Sequence, residues 1–200
     1  MRHWKIWVQK GCLYLLALIV GGITFSLLDL FIGGKLDPKG AVDYYMLQGF
    51  LLSNFMVSDL DRKSVLAVRF GAKRKSCHIG FEISRAIYFL GCLLSLAVIY
   101  PEFRKTSPNS LLVVLLIYGA ALTANFSVTG LGEIARKHYS QYNILLLIAV
   151  VVIEVVILVL LQFGLYTENW ILPLILVGIA AASKTVCLMQ ERKYLFSCNV

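Results

Sequence analysis

From Ile144 to Phe163 the chain reads ILLLIAVVVIEVVILVLLQF, twenty residues with a single charge, Glu154. About 20 apolar residues at 1.5 Å rise each match the hydrocarbon thickness of a bilayer. A lone segment of this kind satisfies its backbone hydrogen bonds in lipid only as an α-helix. The run therefore sets the solvent for everything else: lipid on the outside, with water confined to the ends. Composition agrees, since 59% of the 200 residues are apolar and 15% are charged, a balance outside the range of soluble domains.

Read this way, the chain offers six spans. They run from about Gly11 to Ile32, Val42 to Ser58, Ile83 to Tyr100 and Leu111 to Leu131, then from Asn143 to Tyr166 and Trp170 to Met189. The second is short and carries Gln48 and Asn54. The connections are too short for a second domain, so residues 1–200 are expected to form one all-α polytopic membrane bundle. The apolar run near the N-terminus is longer than a secretory signal and lacks a small-x-small cleavage pattern, so it is expected to stay in the mature chain. Ahead of it, MRHWKIWVQK sets Trp4, Trp7 and Val8 opposite Arg2, Lys5 and Gln9. That pattern suits either a short helix in the headgroup layer or a plain anchoring flank.

Charge gives the orientation. With six spans, Arg2, Lys5, Lys10, Arg62, Lys63, Arg69, Lys73, Arg74, Lys75, Arg85, Arg136, Lys137, Lys184, Arg192 and Lys193 fall on one side, and only Lys35, Lys39, Arg104 and Lys105 on the other. Cytoplasmic loops carry the lysine and arginine excess, so both termini are expected in the cytoplasm. The net charge of +8 then reflects topology and anionic lipid, with no nucleic-acid footprint. Cys12, Cys77, Cys92, Cys187 and Cys198 are odd in number and lack CxxC spacing, which points to reduced thiols and away from a disulfide framework or zinc site. No phosphate loop, HExxH or GxSxG is present, so neither enzymatic activity nor a cofactor is expected in this chain.

Two features exceed what a bundle needs. The first is the stretch 59–82, expected as a cytoplasmic loop. Within it Val65, Leu66, Val68 and Phe70 form a short apolar set, followed by Gly71 and the cluster Lys73, Arg74 and Lys75. Ser64 is placed to cap a short helix from Val65 to Phe70, with Gly71 ending it. The second is Glu154, at the centre of the fifth span. It comes level with about Ala181, one turn from Lys184. Two readings stand: a Glu154–Lys184 pair, or Lys184 reaching to the aqueous side while Glu154 is a neutral, hydrogen-bonded packing residue. Gly119, Thr123 and Ser127 also recur at four-residue spacing, a small-residue strip for close helix packing.

The order of an interfacial start, two helices, FGAKRKSCHIGFEISRAIYF leading into the third helix and then short-looped helices with a basic tail resembles ABC-2-type permeases. These are the membrane subunits of ATP-binding-cassette transporters. Gly71, Ala72, Lys73, Arg74 and Lys75, followed by Arg85, are similar to the family's phrase between helices two and three. GLGEIARKHYSQYN, residues 130–143, resembles its turn between helices four and five. The resemblance implies a bacterial cytoplasmic-membrane permease, with ATP bound by a separate ATPase subunit docking on 59–82 and a second permease subunit as partner. Larger members carry re-entrant helices between helices five and six. Here only Thr167 to Asn169 are available, which implies a small peptide, antibiotic or lipid-like cargo. The alternative is a stand-alone membrane protein, such as an immunity or sensor protein.

Overall fold

The computed structural model describes residues 3–34, 38–104, 107–168 and 170–197. Arg2, Lys35, Lys105, Asn169 and Cys198 lie outside them. Six long helices follow one another: α1 His3–Gly33, α2 Pro38–Arg69, α3 Arg74–Phe103, α4 Leu111–His138, α5 Asn143–Tyr166 and α6 Ile171–Ser197, with a 3₁₀ turn at Ser140–Tyr142 before α5. Five of them, all but α2, are long and apolar enough to cross a membrane. The chain is an all-α polytopic membrane protein.

α2 has 32 residues, about 48 Å at 1.5 Å per residue, so it matches the others in length. Gln48, Ser53, Asn54 and Ser58 dilute its apolar character, and all four are buried or half-buried. Its polar side chains thus face protein, because lipid offers them no partner. α4 takes the centre, packing on α2, α3, α5 and α6. It buries residues around its whole circumference, from Val113 to Thr129, as a core helix does. α1 and α5 sit at the periphery and leave rows of apolar side chains exposed, among them Leu13, Leu16, Ile23, Leu145, Val152 and Val156. Exposed apolar surface on this scale belongs against acyl chains.

Charged and polar contacts collect at the two ends of the bundle. At the basic end Asp59 receives Lys63 at 2.6 Å and Lys10 at 3.5 Å, Lys184 lies 3.6 Å from Glu82, and Ser58 donates to Glu133 at 2.7 Å. Burial by itself raises the Asp59 carboxyl, but the hydrogen bond and charge of Lys63, with Lys10, outweigh it and hold the group below its usual range. At the opposite end Tyr166 donates to Asp43 at 2.5 Å. Ser107 and the Asn109 amide donate to the Gly164 and Leu165 carbonyls at the end of α5, and the Asn109 amide also to the Thr167 carbonyl just past it. Those carbonyls have no partner within their own helix, so the α3–α4 connection closes α5 off.

Two expectations are corrected. The N-terminal residues form no separate interfacial helix, since α1 is continuous from His3 and Trp7 is buried. Its ring sits against Gly80, and its carbonyl accepts from Ser84 at 2.6 Å, so protein, not headgroups, surrounds it. Nor is 59–82 a loop. α2 runs on to Arg69 and α3 begins at Arg74, because Leu60, Ala67 and Val68 continue the inward-facing apolar positions of α2 past the end of the apolar span. Ser64 does not cap a new helix; its hydroxyl donates back to the Asp61 carbonyl at 2.7 Å.

A Cβ at Gly80 would overlap the rigid Trp7 ring. Gly80→Ala is therefore expected to destabilise the protein by about 1–3 kcal/mol. Gly178→Ala, where a Cβ meets nothing, is expected to be neutral or to stabilise by up to about 1 kcal/mol. Unfolding of the two variants in bicelles checks the contrast.

Candidate functional site

The first candidate is the tip of the α2–α3 hairpin. α2 ends in a Schellman closure: Gly71 N–H donates to Val68 O at 3.0 Å and Ala72 N–H to Ala67 O at 2.9 Å. Gly71 has φ +87°, a left-handed conformation that glycine adopts without a Cβ penalty. Ala67 and Ala72 pack toward the core, as the hydrophobic contact of that motif requires. The four apolar residues expected to share a docking face divide here. Val68 packs inward, while Val65, Leu66 and Phe70 stay outside. Leu66 and Phe70, one turn apart, are 50% and 87% exposed. Lys73, Arg74 and Lys75 are exposed on the turn and the first turn of α3. Arg85 is not with them. It is 6% exposed, bound to Glu82 at 2.9 Å and set over the Phe126 ring at 4.9 Å, where a guanidinium is held by charge and by the aromatic face.

The second candidate lies halfway along the helices. Glu154 does not meet Lys184, which faces Glu82 instead. The pair fails because α6 packs mainly on α4 and only lightly on α5, so the two helices do not bring those positions together. The Glu154 Oε2 accepts from Asn54 Nδ2 at 3.0 Å, and its Oε1 lies 3.0 Å from Thr129 Oγ1. The reading of Glu154 as a hydrogen-bonded residue facing protein therefore describes the contacts. Around it, Asn125 Nδ2 donates to Asn54 Oδ1 and to Ser53 Oγ, both at 2.6 Å, and Thr129 Oγ1 lies 2.8 Å from Asn54 Oδ1. Asn125, Ser53 and Thr129 are buried. Five residues, Ser53 and Asn54 of α2, Asn125 and Thr129 of α4 and Glu154 of α5, thus form one polar cluster inside the membrane.

Sequence reading singled out Glu154 but missed Asn125 and Thr129, and it treated Asn54 only as a flaw in the second span. The signal available was positional, since Asn54, Asn125 and Glu154 each fall within about a residue of the middle of their helix. Of the small residues at four-residue spacing, Gly119 lies against Phe89 and Leu93 of α3, and the hydroxyls of Thr123 and Ser127 bond back to carbonyls of α4 itself.

Comparison with protein-family models, with curated proteins and with solved structures gives no match. Functional weight therefore falls on these contacts. Thr129→Val keeps shape and removes the hydroxyl, and is expected to cost about 0.6–1.7 kcal/mol, the range for interhelical hydrogen bonds in bilayers. Lys184→Ala breaks an ion pair whose two side chains are each about a third exposed and is expected to cost at most about 1 kcal/mol. Reversible unfolding in mixed micelles measures both.

Proposed function

We propose that the chain is the membrane-spanning permease subunit of an ATP-binding-cassette transporter. It works with a second permease subunit in a bacterial cytoplasmic membrane and is driven by a separate ATPase that docks on the α2–α3 hairpin tip. The observation that carries this reading is the exposed Leu66–Phe70 pair on a rigid helical hairpin at the basic end of the bundle. By the lysine and arginine excess that end is the cytoplasmic one. A plain polar loop would meet the charge rule equally well without an apolar pair or a Schellman closure. The resemblance of residues 70–89 to ABC-2-type permeases supports the same assignment.

The continuity of α2 bears on how a docked ATPase would act. A separate coupling helix would have to transmit force through a joint. Here the tip is the last turn of α2, which runs without a break to Pro38 at the far end. An ATPase that moves the tip would tilt the whole of α2, and movement of packed elements between discrete arrangements is how such strokes are carried. Lys73, Arg74 and Lys75 would steer the acidic partner or hold the anionic leaflet, at about 1 kcal/mol each near the surface. The short α5–α6 connection favours a small peptide, antibiotic or lipid-like cargo.

Phe70→Ala removes a ring that the bundle does not use, so insertion and stability are expected to be unchanged. Loss of the ATPase is expected to be on the order of 2 kcal/mol, roughly thirtyfold in affinity, with Leu66→Ala acting in the same direction. Pull-down of the ATPase by variants of equal membrane abundance reads this. Wild-type protein purifying without any ATPase, or full retention by Phe70→Ala and Leu66→Ala together, would favour the stand-alone membrane protein instead.

A further inference from the structure

We propose that Glu154 is a proton-binding site at the centre of the membrane, held as a neutral carboxylic acid in a hydrogen-bond ring with Thr129 and Asn54 that ties α5 to α4 and α2. The hydrogens available around the carboxyl favour it. Thr129 Oγ1 has one to give, and it lies 2.8 Å from Asn54 Oδ1, 2.9 Å from the Asn125 carbonyl and 3.0 Å from Glu154 Oε1. Asn54 Oδ1 and the Asn125 carbonyl are both acceptors only; the carbonyl has a helical N–H of its own, and the shortest contact, to Asn54 Oδ1, is assigned the threonine hydrogen. The contact between Glu154 Oε1 and Thr129 Oγ1 then needs a hydrogen from the glutamic acid. With it the ring closes. Glu154 Oε1–H donates to Thr129, Thr129 donates to Asn54 Oδ1, and Asn54 Nδ2 donates back to Glu154 Oε2 at 3.0 Å.

Turning the Asn54 amide over points the same way. Its carbonyl oxygen would then face Glu154 Oε2 at the same separation, an oxygen–oxygen contact that again needs a proton on the acid. Nor is a cation built into the site. Both carboxyl oxygens already face neutral partners, and Asn54 Oδ1 is taken by Asn125 Nδ2 as well as Thr129. On the elements around α5, the ionisable groups toward the basic end are engaged elsewhere. Glu133 of α4 is bound by Ser58 and Arg136, Asp59 of α2 by Lys63 and Lys10, and Lys184 of α6 by Glu82. Toward the other end, Asp43 accepts from Tyr166. A charge at mid-membrane without a counter-ion is unfavourable, and a proton removes it.

Glu154 is only half-buried, on a helix that faces lipid. A cavity of about 360 Å³ between α2 and α5, lined by Asp43, Met46, Leu47, Val155, Leu158 and Gln162, opens beside it without including Glu154 itself, and these helices do not otherwise pack closely. An apolar carbodiimide dissolved in lipid therefore has a way in, and its reaction adds the carboxylic O–H across a carbon–nitrogen double bond, so it marks the protonated acid.

The test uses the full chain in lipid nanodiscs. Infrared difference spectra between wild type and Glu154→Gln at neutral pH are expected to show the C=O stretch of an un-ionised carboxylic acid, lost completely in the variant. Glutamine should keep the ring, since its amide N–H replaces the acid O–H toward Thr129. Dicyclohexylcarbodiimide is expected to label Glu154 of the wild type at neutral pH, less as pH rises, and without protection by sodium. A carboxylate band in place of the acid band, or labelling that sodium suppresses, overturns the proposal, the second outcome in favour of a cation site. The labelling arm uses unaltered protein, so a variant that failed to fold would not leave the question open.

Discussion

Inside a bilayer a polar group finds its partner within the protein or finds none, and the arrangement of this bundle follows from that. Backbone groups are satisfied by helix formation. Side chains are satisfied only where helices meet, so the helices richest in polar residues are drawn inward and the most apolar are left outside. α4, with Asn125, Ser127 and Thr129 all buried, is the centre for this reason. α5, with one polar residue in its middle, is peripheral and turns that residue toward the polar side of α4.

Both candidate sites lie on one rod. Asn54 and Phe70 belong to the same uninterrupted α2 up to its closing turn, separated by about 24 Å at 1.5 Å per residue. The proposed docking turn at the basic end and the proposed proton-bearing ring at the midplane therefore do not need a chain of intermediate contacts. Tilt or rotation of α2 changes both together. A helix interrupted at Ser64, as local capping signals suggest, would separate them. Its continuity follows from Leu60, Ala67 and Val68, which keep α2 in register with the bundle beyond the lipid.

Much of the fold was legible from residues alone, wherever hydrophobicity outweighs every other preference of the chain. α5 begins and ends at Asn143 and Tyr166 as expected, because a long apolar run bounded by polar residues leaves no choice. Helix ends outside lipid were misread, as at α2 and α3, because tertiary packing of a few apolar residues outweighs a local cap worth about 1 kcal/mol. Of the two readings of Glu154, the pair with Lys184 fails for a different reason, while the hydrogen-bonded one describes its contacts. Counting across the α5–α6 turn assumes that sequence neighbours pack, whereas both helices pack chiefly on α4. Thr129 and Asn125 lie on a helix long enough to be read as a simple span, and nothing in the local sequence says that they face the same point as Asn54.

The polarity of α2 also orders how the bundle can assemble. Asn54 has its partners on α4 and α5, which follow it in the chain, so α2 must be held in the membrane by something else until they are present. α1 supplies that. Phe25 and Tyr44 stack with ring centroids 3.8 Å apart, Gln48 Nε2 donates to the Ala17 carbonyl at 3.3 Å, and Gly21 leaves room for the Gln48 amide, which a Cβ would overlap. At the basic end Lys10 reaches Asp59. An apolar helix with a glycine opposite the glutamine thus shelters the first half of the polar face of α2. The second half, at Ser53 and Asn54, stays open for the helices that come later. The division of α2 between an early partner and late ones accounts for a helix whose polar residues dilute its apolar character and yet are buried or half-buried inside the bundle.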